Sequence, residues 1–496
     1  MVFLVVLVLA AAFLGYIYLK WHFSVFKRLA IPGPEPSIIS GNLMYILRKG
    51  HLQAMVTWGK KYGRVFGYFE GWSPVIAVSD PDILREILVK DFNNYRSRKP
   101  FPLAPRKALG LFLENGDQWK RSRTSLTPAF SSGKLRHMFA TINNSVDHLV
   151  ANTEHKCEKE ETYDAYSLFQ SLTLDVIGRC AFGLQTNAQT DEDDDFLKNI
   201  RFLFDGLSKT CIQPLVMLMP FLSYFVFALK NIVFLFGMNP VVWLKNQMKD
   251  VVKIRKEIGY DNVNTDLVQL MVFPNADGKS RRKIRPMTER EVVAQSMTFL
   301  LAGYETTSAV LAFLTHVLAT NDGVQDRLCE EIDETFKGKE VTYEKVNNMP
   351  YFDMVLDEVC RLYPTASLVV TRKADKTRKY AGYTFPSGMS IQANVWSLHR
   401  DEEFWENAEE FNAERFSPEN KEKIVPYSFL PFGAGPRMCI GQRFAILEIK
   451  IAISRILQNF TFTKTNETED SLTIIARGAV VPRDGVNLRV HRRHSI

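Results

Sequence analysis

The chain opens with eighteen residues unbroken by charge, VFLVVLVLAAAFLGYIYL (Val2–Leu19). As a helix rising ~1.5 Å per residue this run spans ~27 Å, about the hydrocarbon thickness of an endoplasmic-reticulum bilayer. A cleaved signal peptide, with Ala10–Ala12 as its small-residue site, is the competing reading. No basic stretch precedes the run, and the apolar pattern continues past the alanines, which favours a retained anchor. Lys20, Lys27 and Arg28 follow it and place the rest of the chain in the cytosol. IPGPEP (Ile31–Pro36) has too many prolines for a helix and reads as a stiff hinge. The expected division is an anchor over 1–20, a basic and proline-rich hinge over 21–36, and a catalytic body over 37–496. Alternation about a central turn in RVFGYFEGWSPVIAVS (Arg64–Ser79) predicts a hairpin. From Asp80 to Pro364 the period is mostly helical, and strand-like alternation returns over Tyr380–Val395 and near the C-terminus. This is a mainly helical α+β pattern with a small sheet.

Two stretches stand out within the helical part. The apolar pattern from Thr288 to Thr320 predicts a helix of ~50 Å, started by a capping box of Thr288 and Glu291. Gln213–Trp243 is almost all apolar but is broken by Pro214, Pro220, Gly237 and Pro240. It reads either as a second membrane span or, given those breaks and Lys230, as a helical lid dipping into the membrane surface.

Composition changes this picture only in places. A length of 496 residues suggests about three domains as a bare prior, yet no linker, repeat or low-complexity run divides the chain. The 35 phenylalanines against 17 tyrosines favour extensive apolar packing or large apolar cavities. A net charge of +7 is too mild and too dispersed to argue for nucleic acid. The six cysteines are scattered and form no C-x-x-C, so neither a disulfide scaffold nor a zinc finger is indicated.

One of those cysteines carries the chemistry. FLPFGAGPRMCIG (Phe429–Gly441) sets Cys439 in a glycine- and proline-rich loop directly before the helical pattern Gln442–Phe460. A dinucleotide fingerprint fails, because Met438 stands where the third glycine must be and no acidic residue follows at the ribose-binding distance. A phosphate loop fails for want of Gly-Lys-Ser/Thr. His399–Asp401 (HRD) has none of the companion motifs of a kinase. A thiolate, in contrast, is served here by the positive end of the following helix and by backbone N–H groups approaching past Gly435 and Gly441. Phe432 can shield it from water, and Arg437 can clamp a neighbouring anionic group. An axial thiolate on haem iron has these requirements.

FGAGPRMCIG (Phe432–Gly441) resembles the haem-binding signature of the cytochrome P450 family, F-x-x-G-x-R-x-C-x-G, at every fixed position. The resemblance makes Cys439 the iron ligand and gives AGYETT (Ala302–Thr307) the family's acid–alcohol pair, Glu305 and Thr306, for proton delivery. Gly303 there would give O2 room. EVCR (Glu358–Arg361) is similar to the family's E-x-x-R, completed by Arg415 as a buried scaffold. WKRSR (Trp119–Arg123) is similar to W-x-x-x-R, in which Trp119 and Arg123 hold haem propionates; Arg98 and Arg372 resemble two further propionate ligands. Nearly the whole chain is most similar to the animal drug- and steroid-oxidising branch, which includes thromboxane synthase. The resemblance implies one large helical domain with a small β region, and haem between a long central helix and the helix after the cysteine loop. It implies a monooxygenase that inserts one atom of O2 into lipophilic steroids, lipids or xenobiotics. The implied partners are an NADPH-dependent flavoprotein reductase, cytochrome b5 and the endoplasmic-reticulum membrane. A haem-thiolate isomerase or dehydratase shares the loop but needs no proton relay, and a haem sensor or carrier needs far less machinery. Apolar segments around Arg98–Asn115, Phe202–Phe236, Ser296–Thr306 and Thr365–Thr371 are the expected substrate walls.

Overall fold

The computed structural model describes residues 1–101, 110–209, 216, 218, 240–260, 266–274, 285–476 and 478–493. The predicted lid over Gln213–Trp243 therefore falls largely outside the described residues. So do parts of two expected substrate walls.

The opening run is a helix, α1 (Val2–Phe23), with mean hydropathy 2.7 and none of its most apolar window buried. At 22 residues it is ~33 Å long. Its inner end is not free. Phe23, Phe26 and Ile31 are buried with Phe69 and Ile76 of the sheet, and His22 Nε2 lies 2.8 Å from the Trp72 carbonyl. Gly67 lacks the Cβ that would collide with the Phe26 ring, and its N–H donates to the Pro32 carbonyl at 2.8 Å. The proline-rich segment is non-helical as expected, but its first residues, Ile31–Gly33, are docked on the sheet.

That sheet begins with the predicted hairpin, β1 (Val65–Glu70) and β2 (Ser73–Val78), closed by Gly71 in the left-handed region. Tyr163–Asp164 forms the short β3, while Thr371–Lys373 (β4) and Ser390–Ala393 (β5) complete the first sheet in the order β1-β2-β5-β4. Only the β2–β5 pairing is parallel. A second sheet joins β3 to Phe460–Thr463 (β6) through Asn487–Arg492 (β7), all antiparallel.

Two further two-stranded pairs, Arg378–Tyr380 with Tyr383–Phe385 and Ile474–Ala476 with Val480–Pro482, accompany a larger set of helices. The longer of these are α2 (His51–Tyr62), α3 (Gly116–Leu126), α4 (Ser132–Glu158), α5 (Ala165–Phe182), α6 (Asp195–Lys209) and α7 (Pro240–Ile258). They are followed by α8 (Glu289–Thr320), α9 (Asp322–Phe336), α10 (Pro350–Leu362) and α11 (Gln442–Leu457). The Thr288–Glu291 capping box starts α8 as its sequence predicts. Composition alone would let α8 cross a membrane, but 72% of its most apolar window is buried, against α5, α7, α10 and α11. It is the core helix. Its most extensive neighbour is α5, and there Gly303 also serves packing: a Cβ on it would sit 3.1 Å from Ile177 of α5.

Candidate functional site

A helix as buried as α8 should be covered on all sides, yet Ala302 is exposed and Leu301, Gly303 and Thr306 are half-exposed mid-helix. On the loop before α11, Cys439 is exposed while Arg437, two residues earlier, is buried. Two bridges join these elements around a gap. Phe299 of α8 meets Phe130 at 5.7 Å between ring centroids, and Phe130 reaches Gly441. On the other flank Gln295 donates to Glu114 Oε1 at 3.1 Å, and Arg437 Nη2 donates to the Glu114 carbonyl at 2.7 Å.

The cysteine loop is held by local geometry. The Cys439 N–H donates to the Phe432 carbonyl at 2.9 Å, closing the loop over Gly433 and Gly435, both at φ +71°. Gly435 is doubly constrained, since a Cβ there would lie 2.0 Å from the Leu88 carbonyl oxygen. Gly441 is not: its φ is −90°, and a Cβ would meet nothing closer than 3.9 Å. What Gly441 contributes is its backbone N–H, which with that of Gln442 bonds the cysteine sulfur at the helix N-terminus. Desolvation still dominates and pushes the Cys439 thiol up, with those N–H groups, Arg123 and Arg98 pulling the other way. A coordinated metal removes the thiol proton outright.

Four arginines, Arg98, Arg123, Arg372 and Arg437, form a cluster of mutually repelling charges, of which Arg98 and Arg123 act on the sulfur. Arg98 and Arg372 are brought together by a bridge between Ser97 and Lys373, whose N–H donates at 2.8 Å. Arg98 Nη1 donates to the Val369 carbonyl, and its guanidinium lies 4.8 Å over the Phe112 ring. Arg372, only 2% exposed, donates Nη1 to its neighbour's carbonyl. Arg437 donates Nε to the Arg96 carbonyl at 2.6 Å and stacks 4.3 Å from the buried Trp119 ring. Burial and mutual repulsion lower Arg98 to about 10, Arg372 to about 9 and Arg437 to about 8; Arg123 is lowered by burial. Nε of Arg98, Nε of Arg372 and Nη1 of Arg437 are buried without a hydrogen-bond partner. Buried cations whose N–H groups go unmet are costly. Their chemistry fits a ligand bearing carboxylates, placed beside a thiol that a metal can deprotonate. Haem, with two propionates and an iron, is such a group.

The scaffold residues lie together: Glu358 and Arg361 are fully buried and Arg415 is half-buried. Glu358 takes Arg361 Nε at 2.7 Å and Nη2 at 2.8 Å, Arg415 Nε at 3.2 Å and the Asn412 N–H at 2.9 Å. Arg361 Nη1 donates to the carbonyls of His399 and Ala408, each at 2.7 Å. His399, part of no functional motif in the sequence, links this knot to the cysteine loop. Its Nε2 accepts the Leu430 N–H at 2.8 Å, and Nδ1–H donates to the Arg361 carbonyl at 3.0 Å. Burial lowers His399 to about 3, consistent with a neutral ring. A single histidine in a helical turn carries no sequence signal for this role.

The acid–alcohol pair is not brought together. Thr306, on the gap side, donates Oγ1–H to the Ala302 carbonyl at 2.7 Å. Glu305 is 3% exposed and turned to α5, where Tyr166 Oη donates to Oε1 at 2.6 Å and Gln170 Nε2 approaches Oε2 at 3.5 Å.

Residues 31–490 match the family model described as Cytochrome P450. The chain is 36% identical over 485 residues to cytochrome P450 3A12 of Canis lupus familiaris, covering 96% of this chain and 94% of that one. It is 37% identical over 487 residues to cytochrome P450 3A28 of Bos taurus, covering 98% and 95%. With cytochrome P450 3A27 of Oncorhynchus mykiss it shares 33% over 484 residues, covering 97% and 92%.

Proposed function

The chain belongs to the cytochrome P450 family and is a haem-thiolate monooxygenase of lipophilic small molecules, fed with electrons by an NADPH-dependent reductase; on that premise we propose how its residues share the work. Cys439 is the iron ligand, and Arg98, Trp119, Arg123, Arg372 and Arg437 hold the haem propionates, with Phe432 and Gly441 lining the sulfur. The observation that carries this is the set of unpartnered guanidinium N–H groups around one loop cysteine. Haem bound there supplies the iron at which O2 is reduced and split. Glu358, Arg361 and Arg415 brace the loop, Thr306 presents a hydroxyl to the gap, and Glu305 is the acid behind it. The Ala302 carbonyl already takes the Thr306 proton in a hydrogen bond, so the hydroxyl oxygen is free to accept a second one from water.

The chain organises into an anchor over 1–20, a join over 21–36 and a catalytic body over 37–496. Docking of Phe23 and Phe26 on the sheet supports a join that transmits the direction of α1 rather than one that swings. The apolar α1 fits a single-pass anchor; we place it in the endoplasmic-reticulum membrane with the body in the cytosol, and count cytochrome b5 as a second electron donor. Relatives over almost their whole length support oxidation over peroxide isomerisation.

The test is Cys439→His. The variant should retain haem but lose the red-shifted Soret band that a thiolate gives the reduced carbon monoxide complex. An unchanged band would place the ligand elsewhere.

A further inference from the structure

We propose that the outer face of the second sheet carries a binding site for a phosphate group, either free or on a small phosphorylated molecule. Arg489 of β7 and Lys464, just beyond β6, are its cations. None of its residues belongs to the haem site.

Strand alternation places the side chains. In β6 and β7 the residues Phe460, Phe462, Leu488 and Val490 are buried, so Thr461, Thr463, Arg489 and His491 face outwards. Register sets Arg489 opposite Thr463 and His491 opposite Thr461. The residues after β6 form a rim to this face, and the rim is fixed. The Thr465 N–H donates to Thr468 Oγ1 at 2.8 Å, whose own proton goes to the Asn487 carbonyl at 2.6 Å. Between rim and sheet lies a groove of about 270 Å³, lined by Thr463, Lys464, Thr465, Asn466, Arg489 and His491. None of these carries a carboxylate.

The positive charge of the groove is unmatched. Other arginines at this end of the chain have acidic partners: Arg492 pairs with Glu154 of α4, and Arg493 with Asp333 of α9. Arg489 pairs with no carboxylate among the described residues, and its Nε is buried without a hydrogen-bond partner. Lys464 Nζ lies 3.9 Å from Asp470 Oδ1, but those side chains are 64% and 94% exposed, so water screens the pair. A guanidinium fork, an ammonium and the Asn466 amide thus line one groove as hydrogen-bond donors, with threonine hydroxyls between them. A carboxylate has one charge and two oxygens, and it would leave part of this set unmet. A phosphate brings a larger negative charge and an additional acceptor oxygen, and it accepts from several directions at once.

The test titrates the full-length haem-loaded enzyme with inorganic phosphate by calorimetry at low salt. Haem occupies the other arginine cluster in this form, so that cluster does not compete. One saturable site with a Kd of order 1 mM is expected, because its cations stay in contact with water. Arg489→Gln removes the fork and should weaken binding roughly tenfold or more, and Lys464→Gln about threefold. Arg492→Gln breaks a pair outside the groove and should leave the Kd within about twofold. A retained Soret band shows that each variant is folded, and Lys464 is exposed enough for its variant to decide if Arg489→Gln loses haem. ATP titrated in the same way separates the sources. Binding about tenfold tighter than phosphate, and still dependent on Arg489, marks a phosphorylated molecule; an affinity no higher than that of phosphate marks the free anion. No saturable binding up to about 20 mM phosphate overturns the site. So does unchanged binding in Arg489→Gln or Lys464→Gln, or an equal loss in Arg489→Gln and Arg492→Gln.

Discussion

Replacing Glu358 by Gln should destabilise the protein far more than its spacing from Arg361 suggests. An i,i+3 glutamate–arginine pair on a helix surface is worth under ~1 kcal/mol, because water screens both charges. Here both side chains are 0% exposed, and the carboxylate accepts two bonds from Arg361 and one from Arg415. Glu358→Gln keeps the volume but leaves two guanidiniums without a counter-charge and turns an amide N–H towards one of them. Breaking a buried pair from one side costs about 3–5 kcal/mol, against a total stability of order 5–15 kcal/mol. In a chain of this length that corresponds to a Tm lower by about 3–5 °C. Urea denaturation followed by both far-UV circular dichroism and the haem Soret band measures it. The Soret transition should come first, because the knot reaches the cysteine loop through the His399–Leu430 hydrogen bond. The internal control is Glu414→Gln, which breaks an ion pair to Arg327 whose side chains are 50% and 53% exposed. Equal losses in the two variants would refute the claim that burial makes this pair structural.

Three further outcomes follow from the same geometry. Deleting residues 2–20 should remove membrane binding by α1 with little effect on Tm, whereas deleting 2–30 also strips Phe23 and Phe26 from the core and should cost at least the ~3–5 kcal/mol of one large-to-small phenylalanine change; matching denaturation midpoints would contradict this. His399, lowered to about 3 from an unfolded value near 6.5, binds fewer protons folded than unfolded between those pH values. Its contribution is therefore full above pH ~6.5 and falls by about 1.4 kcal/mol per unit as pH drops towards 3, so stability of His399→Gln should depend less steeply on pH in that window than wild type. Finally, reversing exposed Lys120 and Arg443 to Glu should slow reductase-supported turnover in a salt-dependent way, read by NADPH oxidation at two ionic strengths. Arg121 must be spared, since it pairs with the Glu291 of the α8 capping box and its reversal would disturb the helix start.

Local pattern was enough for much of this protein. An apolar run unbroken by charge, proline or a polar pattern makes the α1 helix, a capping box and a long apolar period start and extend α8, and alternation about a turn makes the β1–β2 hairpin. Each depends on residues a few positions apart. The loop around Cys439 was equally readable, because its positive φ angles and close approach to Leu88 demand glycine at fixed places. Contacts between distant segments were not readable in this way. Nothing local tells that Gly303 makes room for Ile177, that the proline-rich join is docked on the sheet, or that His399 ties Arg361 to Leu430. Adjacency in sequence even misled at Glu305 and Thr306. Neighbours on a helix point about 100° apart, and the fold gives one side chain the gap and the other α5, where a tyrosine 139 positions earlier holds it.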